Sequence, residues 1–181
     1  MPRIYTKKGD DGTTGLLYGG RIRKDDLVTK AYGTTDEAVA VLGLARSLCD
    51  DEVMEADLLT LQRELFVVGA DLASNPEARK KLEPEVSLVT EKMVARLEQR
   101  IDDLVGQRPL PDVFIVPGAN PASAALDIAR SVVRRAERHV VALETSGRAV
   151  NDEVRRYLNR LSDLLFVLAR WQAGESEPAS K

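Results

Sequence analysis

Ala129-Arg-Ser-Val-Val-Arg-Arg-Ala-Glu-Arg138 reads as the middle of a two-sided helix. Ala125, Ala129, Val132, Ala136 and Val140 recur at intervals of mostly three and four residues and form an apolar seam. At about 100° per residue, Arg130, Arg134, Glu137 and Arg138 share an arc that lies opposite much of this seam. Such a polar face is ordinarily solvated charge. This one is lopsided, with three arginines to one glutamate and Arg135 beside them. The planar guanidinium fork suits phosphate oxygens. Glu137 is placed to orient an arginine or to approach a phosphate-bound Mg²⁺.

Working outward, this helix is expected from about Ala122 to Leu143. Before it, Pro109, Pro111, Pro117, Gly118 and Pro121 flank Val113-Phe-Ile-Val116, which reads as an extended connection. After it, a fifth helix begins near Asn151 and carries Val154, Leu158, Leu161, Leu165 and Leu168. Asn159, Ser162, Asp163, Phe166 and Arg170 share another face of that helix. They mark either a ligand or subunit contact or an ordinary surface stripe.

Upstream, Thr34-Thr35-Asp36-Glu37 resembles a helix start, followed by Ala38, Val41, Leu42, Ala45 and Leu48. A second helix carries Leu58, Leu61, Leu65, Val68 and Leu72 and stops at Ser74-Asn75-Pro76. Glu77 to Pro84 is expected to be a charged loop. A third helix has Met93, Leu97, Ile101 and Leu104 on one face and ends near Gly106. The expected fold is all-α, a bundle of about five helices in one domain. Residues 1–27 form an ordered N-terminal loop, 28–173 the bundle, and 174–181 a disordered tail.

Composition narrows the function. A net charge of −3 gives no general attraction to nucleic acid or membrane. Cys49 is the one cysteine, so no disulfide framework or cysteine metal cluster forms within a chain. No apolar run approaches a membrane span, and no signal-peptide core is present, so a cytoplasmic protein is expected. His139 is the one histidine, which excludes a di-iron bundle with two Glu-x-x-His pairs. It reads as structural.

The N-terminal segment Thr6-Lys-Lys-Gly-Asp-Asp-Gly-Thr-Thr-Gly15 is closed by Arg21-Ile-Arg-Lys24. It is neither a Walker A sequence nor a dinucleotide fingerprint. Lys7, Lys8 and Lys24, with the hydroxyls of Thr6, Thr13 and Thr14, suit a nest of backbone N–H groups around phosphates. The loop and the arginine face together point to a polyphosphate site built from distant parts of the chain.

These segments resemble the PduO-type ATP:cob(I)alamin adenosyltransferases, the corrinoid adenosyltransferases. The matching stretches are Ile4-Tyr-Thr-Lys-Lys-Gly-Asp-Asp-Gly-Thr-Thr14, Arg21-Ile-Arg-Lys24, Gly33-Thr-Thr-Asp-Glu37, Phe114-Ile-Val-Pro-Gly118, Ala129 to Arg138 and Leu158-Asn-Arg-Leu-Ser-Asp163. Their order and spacing hold from residue 4 to about residue 171.

The resemblance implies a five-helix bundle, an up-down four-helix core plus one helix, that assembles as a homotrimer with active sites between subunits. It implies transfer of the 5′-deoxyadenosyl group of ATP to the cobalt of cob(I)alamin. ATP would meet Thr6, Lys7, Lys8, Gly9, Thr14, Gly15, Lys24, Arg134, Arg135, Ala136, Glu137, Arg138 and Asn159. Catalysis would involve Asp36, Arg130, Arg134 and Glu137, with Asp36 and Arg130 paired across a subunit boundary. Glu137 is the residue expected to approach Mg²⁺. Phe114 and Phe166 match corrin-facing positions that help displace the lower axial ligand. A cobalamin reductase and an adenosylcobalamin-dependent enzyme are the implied partners. A trimer that binds both ligands for delivery or sensing, without efficient turnover, is the alternative. Two departures stand out: Lys8 where the family often carries Thr, and Ala119 where a second Gly is common after Gly118.

Overall fold

A computed structural model describes residues 4–174 and 178–180. Five long helices run as α1 (Leu27–Ser47), α2 (Glu52–Leu72), α3 (Glu91–Gln107), α4 (Pro121–Thr145) and α5 (Asp152–Ala173). α1 packs on α2 and α4, α4 packs on α5, and α5 carries α3 on its other side. Between them Leu42, Leu58, Leu65, Met93, Leu126, Leu158, Leu161 and Leu165 are fully buried. Burying a side chain of this size is worth about 1.5–3 kcal/mol. No helix among the described residues is long and apolar enough to cross a membrane.

The helix ends follow local chemistry. Asn120 and Ser123 form a reciprocal capping box on α4, with Pro121 in its first turn. Asn151 caps α5 by accepting from Glu153 N–H. α1 begins well before Thr34, because Asp26 caps it by accepting from Val28 N–H at 2.9 Å. The Thr34 and Thr35 hydroxyls are no caps. They donate back to Lys30 O and Tyr32 O, both at 2.7 Å, inside the helix. Val28 and Ala31, both buried, are the packing residues that extend the helix upstream. Pro76–Lys81, expected as part of a loop, is a short 3₁₀ helix.

The N-terminal loop contains a small hairpin, β1 (Thr13–Gly15) against β2 (Arg21–Arg23), with Thr14 opposite Ile22. Strands this short show no period that marks them in advance. The hairpin is stitched to the end of α2 by Leu17 N–H to Ala73 O at 2.9 Å and Asn75 N–H to Leu17 O at 3.0 Å. Arg148, after α4, donates twice to the cap residue Asp26, at 2.6 and 2.8 Å.

The segment from Arg108 to Asn120 is extended, as its prolines require. Ile115 pairs antiparallel with Ala179. The expected disordered tail therefore pairs with this segment at its described residues 178–180, through two backbone hydrogen bonds. Its residues 175–177 and 181 lie outside the described ones.

Candidate active site

The glycine-rich loop is shaped by its own contacts. Arg21 Nε donates to Thr13 Oγ1 at 2.9 Å, and its Nη2 donates to the Lys8 carbonyl. Asp11 accepts from the Thr13 backbone and hydroxyl at 2.9 and 2.8 Å. These hydrogen bonds, the hydroxyl first, hold the Asp11 carboxyl below its ordinary range, with Arg21 adding to them. Lys7 and Gly12 take left-handed φ angles of 59° and 79°, as a phosphate-cradling nest needs. A Cβ on Gly9 would meet Lys24 Nζ at 3.0 Å, so glycine lets this ammonium lie across the loop. Thr6, Lys7, Lys8 and Lys24 are exposed, while Gly9 and Thr14 are half-buried.

On α4 the expected arc is real. Arg134 and Arg138 are exposed, Arg135 and Glu137 half-buried, and Ala136 fully buried in the seam. Arg135 is drawn off by Glu37 of α1, with which it pairs. Glu137 is positioned from α5: Asn159 Nδ2 donates to its Oε1 at 3.0 Å. Asn159 Oδ1 in turn accepts from Arg160 at 2.8 Å. Among the described residues, Lys7, Lys8, Lys24, Arg134 and Arg138 form no ion pair. Among the described residues, no hydrogen bond or ion pair joins the loop to the arginine face within one chain. His139 Nδ1 lies 3.0 Å from Thr34 Oγ1, bridging α4 to α1, which suits its structural reading.

Phe114 and Phe166 meet around one cavity of about 490 Å³, whose lining also includes Arg130, Asp127 and Arg170. Phe114 is 87% exposed, so it is not a core residue. The Phe166 ring is clasped by two guanidiniums, Arg130 at 5.8 Å and Arg170 at 4.9 Å from its centroid. Arg170 ion-pairs with Asp127, and Arg130 Nε stands 3.5 Å from the other oxygen of that carboxylate. Asp36 is exposed on α1, in a groove of about 410 Å³ that includes Gly33, Phe66 and Gly69. Its expected pairing with Arg130 is not made within one chain.

Gly118 carries the left-handed turn after Pro117, at φ 119°, whereas Ala119 has no positive φ. Alanine therefore fits there without backbone strain. For Mg²⁺, no three His, Cys, Asp or Glu side chains cluster among the described residues. Glu137 suits a cation whose remaining oxygens come from phosphates and water.

Asp127 was not singled out in the sequence. Its one signal is position: three residues before Arg130, on the side of α4 that meets α5. Asp11 and Arg21, which shape the loop, were hidden among similar residues.

The model of the cobalamin adenosyltransferase family matches residues 4–172. The chain is 43% identical over 172 residues to a corrinoid adenosyltransferase of Citrobacter freundii, covering 94% of each. It is 45% identical to one of Bacillus subtilis, over 93% of this chain and 85% of that protein. Among solved structures, a phenylalanine-to-alanine variant of a PduO-type ATP:corrinoid adenosyltransferase from Lactobacillus reuteri, complexed with cobalamin and ATP, superposes with a TM-score of 0.86. It is 32% identical, and the match covers 98% of this chain and 97% of that one. An arginine-to-lysine variant of the same protein, complexed with ATP, gives a TM-score of 0.84 at 34% identity, over 97% of this chain and 98% of that one. The chain belongs to the cobalamin adenosyltransferase family.

Proposed function

We propose that this corrinoid adenosyltransferase works as a homotrimer, each site joining the arginine face of α4 in one subunit to the glycine-rich loop of the next. The observation that carries this reading is a pair of cation groups: Lys7, Lys8 and Lys24 on the loop and Arg134 and Arg138 on α4 are exposed, form no ion pair among the described residues, and suit one polyphosphate. The groove beside Asp36, with Phe66 exposed on its wall, supports assembly through α1 and α2. Asp36 would then reach Arg130 of a neighbouring subunit.

The nucleophile is Co(I) of the substrate, so the protein supplies no attacking group. The cobalt–carbon bond forms as the bond from ribose C5′ to the triphosphate oxygen breaks. The electron pair of that bond leaves with triphosphate. Lys24, Arg134 and Arg138 stabilise the departing charge, and Glu137, fixed by Asn159, orients an arginine or the phosphate-bound Mg²⁺. Phe114 and Phe166 face the corrin and keep water and a lower ligand from the cobalt. The protein acts in the cytoplasm, between a reductase and an adenosylcobalamin-dependent enzyme.

Co-expression of two inactive subunits tests the shared site. Lys24→Ala and Arg134→Ala should each be inactive alone. Mixed trimers regain part of the wild-type turnover if loop and face come from different subunits. Mixtures as inactive as either parent would sink the shared site.

A further inference from the structure

The backbone that bears Phe114 has an unusual attachment. Among the described residues, the stretch 109–119 makes two backbone hydrogen bonds, both to the C-terminal tail. Val116 N–H donates to Pro178 O at 3.0 Å, and Ser180 N–H donates to Phe114 O at 2.8 Å. They bracket the antiparallel pairing of Ile115 with Ala179. Ile115, with Pro111 and Arg170, also lines both of two cavities. One, of about 490 Å³, holds Phe114 and Phe166; the other, of about 240 Å³, lies behind it against Trp171 and Arg108. Prolines 109, 111 and 117 donate no hydrogen bond of their own, which leaves this segment dependent on an added strand.

We infer that residues 178–180 are a strap that positions Phe114 over the corrin. The strap rests on the reading of Phe114 as a corrin-facing ring. It makes the tail a positioning element: it touches no substrate, and it fixes the backbone from which the ring projects. Without it the extended segment has no backbone partner, and the ring samples many positions. Residues 178–180 then set how well the protein holds the cobalt without its lower ligand, and ATP binding is left alone.

The test uses the full-length protein with Ser180→Pro, which deletes one donor, and a second variant lacking residues 178–181. Ser180→Ala, which keeps the backbone N–H, is the control. With ATP and cob(II)alamin under anaerobic conditions, the truncated protein should lose about tenfold of the four-coordinate spectral signal, as expected for two hydrogen bonds of ordinary net strength, and Ser180→Pro, which removes one, about threefold. Thermal midpoint and ATP affinity should match wild type, and the Val116 amide should exchange faster. Ser180→Ala should behave as wild type. Phe114→Ala is measured in parallel. If it loses the signal while both strap variants keep it, the strap is overturned and the ring's role stands. If Phe114→Ala keeps the signal, the corrin-facing reading fails, and the strap's role with it.

Discussion

Asn159 on α5 donates to Glu137 Oε1 on α4 at 3.0 Å, so the one carboxylate of the arginine face is held from outside its own helix. Asn159→Ala should release that carboxylate and leave the fold intact. A hydrogen bond to a charged group is worth about 1.5–3 kcal/mol, so kcat/KM for ATP should fall roughly tenfold or more. Steady-state kinetics at saturating cob(I)alamin check this. Unchanged kinetics would leave Asn159 a purely structural link.

Arg134 is exposed on α4 and forms no ion pair among the described residues, so its loss should not disturb packing. Arg134→Ala should keep wild-type circular dichroism and thermal midpoint. Turnover should fall by at least roughly a hundredfold, as when a preorganised charge stabiliser is removed. Near-normal turnover would take Arg134 out of the site.

Asp127 and Arg170 are both nearly fully buried and ion-paired. Asp127→Ala leaves the guanidinium without this counter-charge and should destabilise the protein by about 3–5 kcal/mol in urea unfolding. Replacing both residues by apolar ones of similar size should cost much less. A single variant within about 0.5 kcal/mol of wild type would show the pair to be dispensable.

The latch between Arg148 and Asp26 should be sensitive to acid. The Arg148 hydrogen bonds hold the Asp26 carboxyl below its ordinary value of 3.8. A depressed folded-state pKa gives stability that is present above the unfolded value and lost as pH falls through the folded one. Arg148→Ala should therefore cost up to about 1 kcal/mol at neutral pH, since the arginine is half exposed. That difference should shrink as pH falls below 3.8 and vanish once the folded-state carboxyl is protonated. A constant difference across the acid range would refute the coupling.

Helices α4 and α5 were legible because long runs repeat an apolar period, with Pro121 opening α4 and Gly174 closing α5. The start of α1 was misread at Thr34-Thr35. Those hydroxyls look like caps in sequence, but they satisfy themselves on the preceding turn. The hairpin escaped notice because three-residue strands carry no alternation. Phe114 was marked by the prolines around it and by the resemblance. Ser180, which donates to its carbonyl, lies in a polar tail whose composition signals nothing. The Asp127–Arg170 pair depends on how α4 meets α5, which local pattern does not encode.

One anaerobic assay tests the central claim most directly: purified protein, ATP and pre-reduced cob(I)alamin, followed by the visible spectrum and by analysis of the phosphate product. Adenosylcobalamin should appear over many turnovers, with one triphosphate released for each. Tight binding of both substrates with no more than one product per site would contradict the enzyme and leave a delivery or sensing trimer in its place.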